Sequence, residues 1–200
     1  MAVASLQLSR RQLVRRARLL AWTGIGWHAI EFGVAVAAGV AAGSIALIGF
    51  GIDSIVESAA SLVVVWRLGS ELRERRAQQL IALSFFMLAA YVGAEAVRAL
   101  ATADRPGTSW LGIGLAAVTA PTMPLLAIAK RRVGRALGSA ATAQEGEQNM
   151  VCAYLSLALL AGLLANALAG WWWADPAAAL LIAGVAVREG REAWHGDDCR

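Results

Sequence analysis

Six apolar runs, separated by short stretches that carry almost every arginine, constrain this chain more than any other feature. They fall at about 19–42, 45–66, 80–100, 109–129, 149–170 and 171–188. A helix needs roughly 20 apolar residues to cross about 30 Å of hydrocarbon, and these runs reach or approach that length. Composition agrees: 58% of the 200 residues are hydrophobic and the mean hydropathy is +0.58. A soluble domain is only about 45–50% apolar. The expected fold is an all-α membrane protein of six transmembrane helices.

Charge sets the expected orientation. Basic residues gather in an N-terminal arm (Arg10, Arg11, Arg15, Arg16, Arg18), between the second and third runs (Arg67, Arg73, Arg75, Arg76), between the fourth and fifth (Lys130, Arg131, Arg132, Arg135) and at the end (Arg188, Arg191, Arg200). Of the 18 basic residues only Arg98 and Arg105 fall towards the other side. Cytoplasmic loops collect positive charge, so both termini are expected in the cytoplasm. Trp22, Trp66 and Trp194 then fall at the inner interface and Trp110 and Trp171 to Trp173 at the outer one, where indole rings prefer to lie. The net charge of +4 reads as topological anchoring, with no nucleic-acid partner. Residues 1–18 read as a basic cytoplasmic arm, a helix along the inner membrane surface. Residues 19–192 read as the six-helix domain and 193–200 as a short cytoplasmic tail. No cleavable signal peptide is evident, because the apolar run after "SRRQLVRRARLL" is too long. A single lysine amid much Ala and Gly fits a GC-rich bacterial coding bias, and with it a bacterial cytoplasmic (inner) membrane. Cys152 and Cys199 do not make a disulfide framework.

Close packing is written into the apolar runs. Ala35, Gly39 and Gly43 recur every four residues, which lets backbones approach and is compatible with a homodimer. Pro121 and Pro124 are expected to kink the fourth helix, with Thr119 or Thr122 bonding to freed carbonyls.

The chemistry lies in ionisable residues at membrane depth, where a bare carboxylate costs roughly 2.5 kcal/mol or more. Asp53 and Glu57 are spaced i, i+4 and share a helix face with Ser61, beside Ser54 and Ser58. Two anions one turn apart repel unless one is protonated or a cation sits between them. The pair is therefore a metal site, a proton-carrying site or both, or else acids held by hydrogen bonds from neighbouring helices. On the fifth helix Glu145, Gln148 and Cys152 form a stripe at helical spacing. Cys152 offers a thiolate for zinc, cobalt, cadmium or copper(I), and Gln148 a weak carbonyl. With Asp53 and Glu57 they make the four donors of a tetrahedral site. His28 and Glu31, spaced i, i+3, read as a buried pair or as a gating or proton-relay element. Glu95 and Arg98 read as an ion pair near the outer end of the third helix. The tail "HGDDC" reads as a solvated end.

Two stretches, "GSIALIGFGIDSIVESAASLVVVWRL" and "GWWWADPAAALLIAGVAVREG", resemble the transmembrane domain of the cation diffusion facilitator (cation efflux) family. The resemblance covers roughly residues 19 to 192. It implies a cation-efflux-like bundle of six helices with cytoplasmic termini and a transport site shared by helices two and five. Asp53 and Glu57 fall at that family's positions on helix two, and Gln148 and Cys152 at its positions on helix five. The family has His and Asp at the latter two, so the donor set here differs. The family's cytoplasmic metal-binding domain and its histidine-rich loop have no counterpart in this sequence.

The expected function is secondary active transport: export of a divalent transition-metal cation (zinc, cobalt, cadmium, manganese or iron) with protons as coupling ion. Asp53, Glu57, Gln148 and Cys152 would be the metal ligands, and Glu145 would attract the ion at the cytoplasmic end. No permanently bound cofactor and no enzymatic activity are expected. "GFGID" is similar to an intramembrane aspartyl protease signature but carries an extra residue, and Asp104 and Asp175, the candidates for a second catalytic aspartate, are expected at the membrane interfaces. The rival expectation is a non-transporting metal sensor or scaffold of the same fold.

Overall fold

The computed structural model describes residues 2–65 and 71–195. Trp66, Arg67 and the tail from Asp197 to Arg200 lie outside the described residues. Among the described residues six helices follow one another: α1 (Ala2–Ala42), α2 (Ile45–Val65), α3 (Glu71–Thr102), α4 (Trp110–Leu137), α5 (Ala140–Ala169) and α6 (Ala174–His195). No strand occurs among the described residues. Among the described residues four segments are long and apolar enough to cross a membrane: Arg10–Ala42, Gln79–Thr102, Trp110–Leu137 and Glu145–Ala169.

The helices overrun the expected spans. α3 starts well before residue 80, α5 before 149, and α4 continues past 129. Hydropathy reports where hydrocarbon ends, whereas i→i−4 hydrogen bonding continues into water as long as the residues tolerate it. The basic arm is helical, as expected, but it is not a separate surface helix. No Gly or Pro interrupts residues 2–23, so α1 runs unbroken for 41 residues, about 60 Å at 1.5 Å per residue.

Short connections close the bundle, and two use the same dipeptide. Gly43 and Gly138 take left-handed φ values of 66° and 65°, which glycine adopts without strain. The serine after each restarts a helix: Ser44 Oγ accepts from Leu47 N–H at 3.1 Å and Ser139 Oγ from Thr142 N–H at 3.4 Å. α6 starts at Ala174, not at 171, because Trp171 to Trp173 complete the turn after Gly170. Pro176 then sits in the first turn, where no N–H is required of it.

α2 is the central element, packing on α1, α3, α5 and α6; α3 pairs with α6, and α4 with α5 and α1. Leu47, Phe50, Phe85, Val92, Met123, Leu155, Leu159 and Ile182 fill the apolar core. The exterior is apolar too: Leu80, Leu125, Leu168, Trp22 and Trp110 are exposed, while His28, Glu31, Asp53, Glu57, Lys130, Glu145 and Asp175 are buried. Apolar outside and ionisable inside is the arrangement of a chain solvated by lipid.

The small-residue stripe on α1 is used within the chain. A Cβ on Gly39 would lie 2.9 Å from the backbone nitrogen of Ile48, and Ala35 meets α2 at Gly51. That face is covered by α2, so it is not free for a second copy. Gly39→Leu is expected to force α1 and α2 apart at a cost of at least about 1–3 kcal/mol. Unfolding in detergent would show it; an unchanged melting transition would mean that the helices are not packed this closely.

On the fourth helix the threonines correct one expectation. α4 passes through Pro121 and Pro124 as continuous helix. Thr122 Oγ1 donates to Val118 O at 2.6 Å, which is not a carbonyl either proline frees, and Thr119 turns to another helix altogether.

Candidate functional site

Where α1, α2, α4 and α5 converge, the interior is polar. Asp53 and Glu57 of α2 are 5% and 4% exposed, and the i, i+4 spacing puts both on its inner face. His28 and Glu31 of α1 are 3% and 0% exposed. The expected His28–Glu31 pair is present, with Nδ1 and Oε2 2.8 Å apart. Glu31 is also the hub of a wider network. Its Oε1 accepts from Trp27 Nε1–H and from Thr119 Oγ1–H of α4, each at 2.7 Å, and its Oε2 from Ser54 Oγ–H of α2 at 3.4 Å. One carboxylate thus ties three helices together.

α5 contributes Cys152, a free and buried thiol. Its sulfur and one donor atom each of His28 and Glu31 lie within 4.8 Å of one another. Gln148 is half-buried and makes no hydrogen bond among the described residues. Its neighbour Asn149 is 2% exposed and faces the cluster, with Nδ2 3.4 Å from His28 Nε2 and 3.2 Å from Met123 Sδ. The buried stripe of α5 therefore runs Glu145, Asn149, Cys152, Ser156.

Two residues expected at the cytoplasmic surface are inside. Lys130 and Glu145 form an ion pair at 3.2 Å, with side chains 2% and 6% exposed. Lys130 is not a solvated anchor, and Glu145 is not a free attractor for ions. Arg131 and Glu147, one position beyond Lys130 and two beyond Glu145, make the more exposed counterpart at 3.1 Å. At the opposite end Glu95 and Arg98 pair as expected at 2.8 Å, and Arg98 also reaches Asp104 at 2.9 Å. These three border a cavity of about 280 Å³ between α3, the start of α6 and the α1–α2 turn.

Electrostatically the central cluster is short of positive charge. Glu31, Asp53 and Glu57 act on one another, and Glu189 of α6 adds its negative field at Asp53. His28 Nδ1 lies 3.5 Å from Glu57 Oε2, and Lys130 contributes a positive field at Glu57 from further off. Glu57 Oε2, Ser58 Oγ and Asn149 Oδ1 are buried with no hydrogen-bond partner among the described residues. Buried polar groups are nearly always paired, so three acceptors without partners beside three carboxyls and a thiol are unusual for a core.

Sequence patterning did not single out Trp27 or Asn149, and it gave Thr119 only a local role beside the prolines. A threonine, a tryptophan and an asparagine are ordinary helix residues until a partner helix faces them. No protein-family model matches this chain, and no curated protein matches it.

Proposed function

We propose that the chain is a secondary transporter of the cation diffusion facilitator type, moving a divalent transition-metal cation out of a bacterial cell across the cytoplasmic membrane in exchange for protons. In this reading all six helices cross the bilayer and both termini are cytoplasmic. One observation carries it: three carboxylates and a thiol buried together inside a lipid-solvated bundle, with Glu57 Oε2 unpartnered. A purely structural core has no need of so many acidic groups buried side by side.

Metal binding requires deprotonated ligands, so a cation entering between Asp53, Glu57 and Cys152 displaces protons, and its departure invites them back. The same atoms thus couple the two fluxes. On α5 the inward-facing amide is Asn149, which supports it over Gln148 as the companion of Cys152. The ion would be exposed to each side in turn as helices rock about the site.

Flux into proteoliposomes containing a metal-sensitive dye tests this, with zinc, cobalt, cadmium, manganese and iron(II), with and without a pH gradient. Asp53→Ala is expected to lower flux by about 100-fold or more, since it removes an anion at the site itself. Metal binding without flux, in folded protein oriented both ways, would favour a sensor or scaffold of the same fold. The absence of a His–Asp pair on α5 is what keeps that rival in view.

A further inference from the structure

We propose that α1 supplies two of the cation's ligands: the ion is held by His28 Nδ1, Glu31 Oε2, Glu57 Oε2 and Cys152 Sγ, a nitrogen, two oxygens and a sulfur from three helices. This rests on the transport reading and names the class of cation, a borderline or soft divalent ion such as zinc, cobalt(II) or cadmium. Magnesium, calcium and manganese prefer shells of oxygen alone.

The distances support this set. Donor atoms of His28, Glu31 and Cys152 lie within 4.8 Å of one another; Glu57 stands outside that trio, its Oε2 reaching to 3.5 Å from His28 Nδ1. Metal–ligand bonds of 2.0–2.3 Å place tetrahedral donors about 3.3–3.8 Å apart, so an arriving ion has to draw the trio together by about 1 Å and bring the Glu57 carboxylate in beside it. In the structure His28 Nδ1 and Glu31 Oε2 share a hydrogen bond; the cation takes the place of its proton.

The surroundings are built to present these atoms. Trp27 and Thr119 both hold Oε1 of Glu31, which fixes the carboxylate and turns Oε2 towards His28. Ligands held in this way by outer hydrogen bonds are a general property of metal sites. When Nδ1 carries the ion, Nε2 must keep its proton and find an acceptor. Asn149 stands 3.4 Å away with its Oδ1 buried and unpartnered, and a half-turn of the amide supplies that acceptor. Glu57 Oε2, also buried and without a hydrogen-bond partner, is free to take a place in the ion's shell. Asp53 lies one turn away on α2 and stands outside this set of four, left for the ion's next position or for the coupling proton.

Cobalt(II) titration of the purified full-length chain in detergent tests the assignment. The protein would carry His195→Ala and Cys199→Ser, so that the tail offers neither imidazole nor thiol. The expected spectrum is tetrahedral with a thiolate-to-metal charge-transfer band. Cys152→Ser removes that band, and His28→Gln and Glu31→Gln each raise the cobalt Kd by about 10–100-fold or more. Because Glu31→Gln also disturbs packing, zinc-edge X-ray absorption on a chain with only the tail changes gives a second reading, expected to contain one sulfur and one imidazole. An all-oxygen shell, or His28→Gln binding cobalt with unchanged affinity and spectrum, overturns the assignment. Flux with an all-oxygen shell would refute this ligand set and leave transport standing; a nitrogen–sulfur shell without flux would uphold the set and refute transport.

Discussion

Lys130→Met is expected to destabilise the bundle by about 3–5 kcal/mol, the usual cost of removing one member of a buried ion pair. The ammonium lies 3.2 Å from Glu145, and both side chains are almost wholly out of solvent. Gly24 of α1 crosses directly above: a Cβ there would come within 3.0 Å of Lys130 Nζ, so three helices enclose the charge. Without the lysine, Glu145 is a carboxylate between α4 and α5 with no water to solvate it. The double variant Lys130→Met, Glu145→Met is expected to recover most of the loss, because two apolar side chains of similar size leave no orphaned charge. Unfolding in detergent, followed by tryptophan circular dichroism, closes this double-mutant cycle. A single-variant cost below about 1 kcal/mol would mean that water reaches the pair, as it does surface pairs.

The same pair shows where the sequence stopped being readable. A basic residue beside three arginines at the end of an apolar run looks like every other topological anchor, and charge counting cannot separate Lys130 from Arg131, Arg132 and Arg135. What separates them is helical phase. Lys130 continues the buried face of α4 that runs through Thr119, Met123 and Ala127, whereas Arg132 and Arg135 face outward. Hydropathy located the helices well, since length and apolar content decide whether a segment can cross lipid. It located their ends poorly, since nothing requires a helix to stop at the hydrocarbon edge.

For the site, the legible part was the part that violates membrane chemistry. Asp53, Glu57, His28 and Glu31 stand out because carboxylates and imidazole are costly at that depth. Cys152 was legible only by spacing. The choice between Gln148 and Asn149 was not legible in principle: adjacent residues point about 100° apart on a helix, and only a facing partner decides which is inside. Here the partner is His28, and it selects Asn149. Thr119 was read as a support for a proline kink, a local role; its hydroxyl instead makes a contact 88 residues away in sequence.

Asp175→Ala is expected to cost about 2–4 kcal/mol, and the reason ties the fold to the site. Asp175 is 2% exposed at the start of α6, yet it caps a different helix. Its Oδ2 accepts from the Ile45 N–H at 3.0 Å and the Ala46 N–H at 3.4 Å, and its Oδ1 accepts from the Ser44 hydroxyl. The first N–H groups of any helix lack intrahelical partners, and a carboxylate there also meets the positive end of the helix dipole. Alanine at 175 leaves two buried N–H groups and a hydroxyl without their acceptor. Asparagine keeps one oxygen in place and is expected to lose only about half as much, the difference being the charge. Ser44→Ala should cost about 1 kcal/mol, and its effect should not add to that of Asp175→Ala, because both act on the same end of α2. Strict additivity would show that the contact is not formed. Function should follow as well. Asp53 lies eight residues beyond Ile45, about 12 Å along α2, so the grip of α6 on the start of α2 sets the depth at which Asp53 and Glu57 are presented. Under the transport reading, Asp175→Ala is expected to reduce metal flux per folded molecule although it touches no ligand, and Asp175→Asn to restore part of it. Undiminished flux from folded Asp175→Ala protein would mean that α2 holds its position without α6.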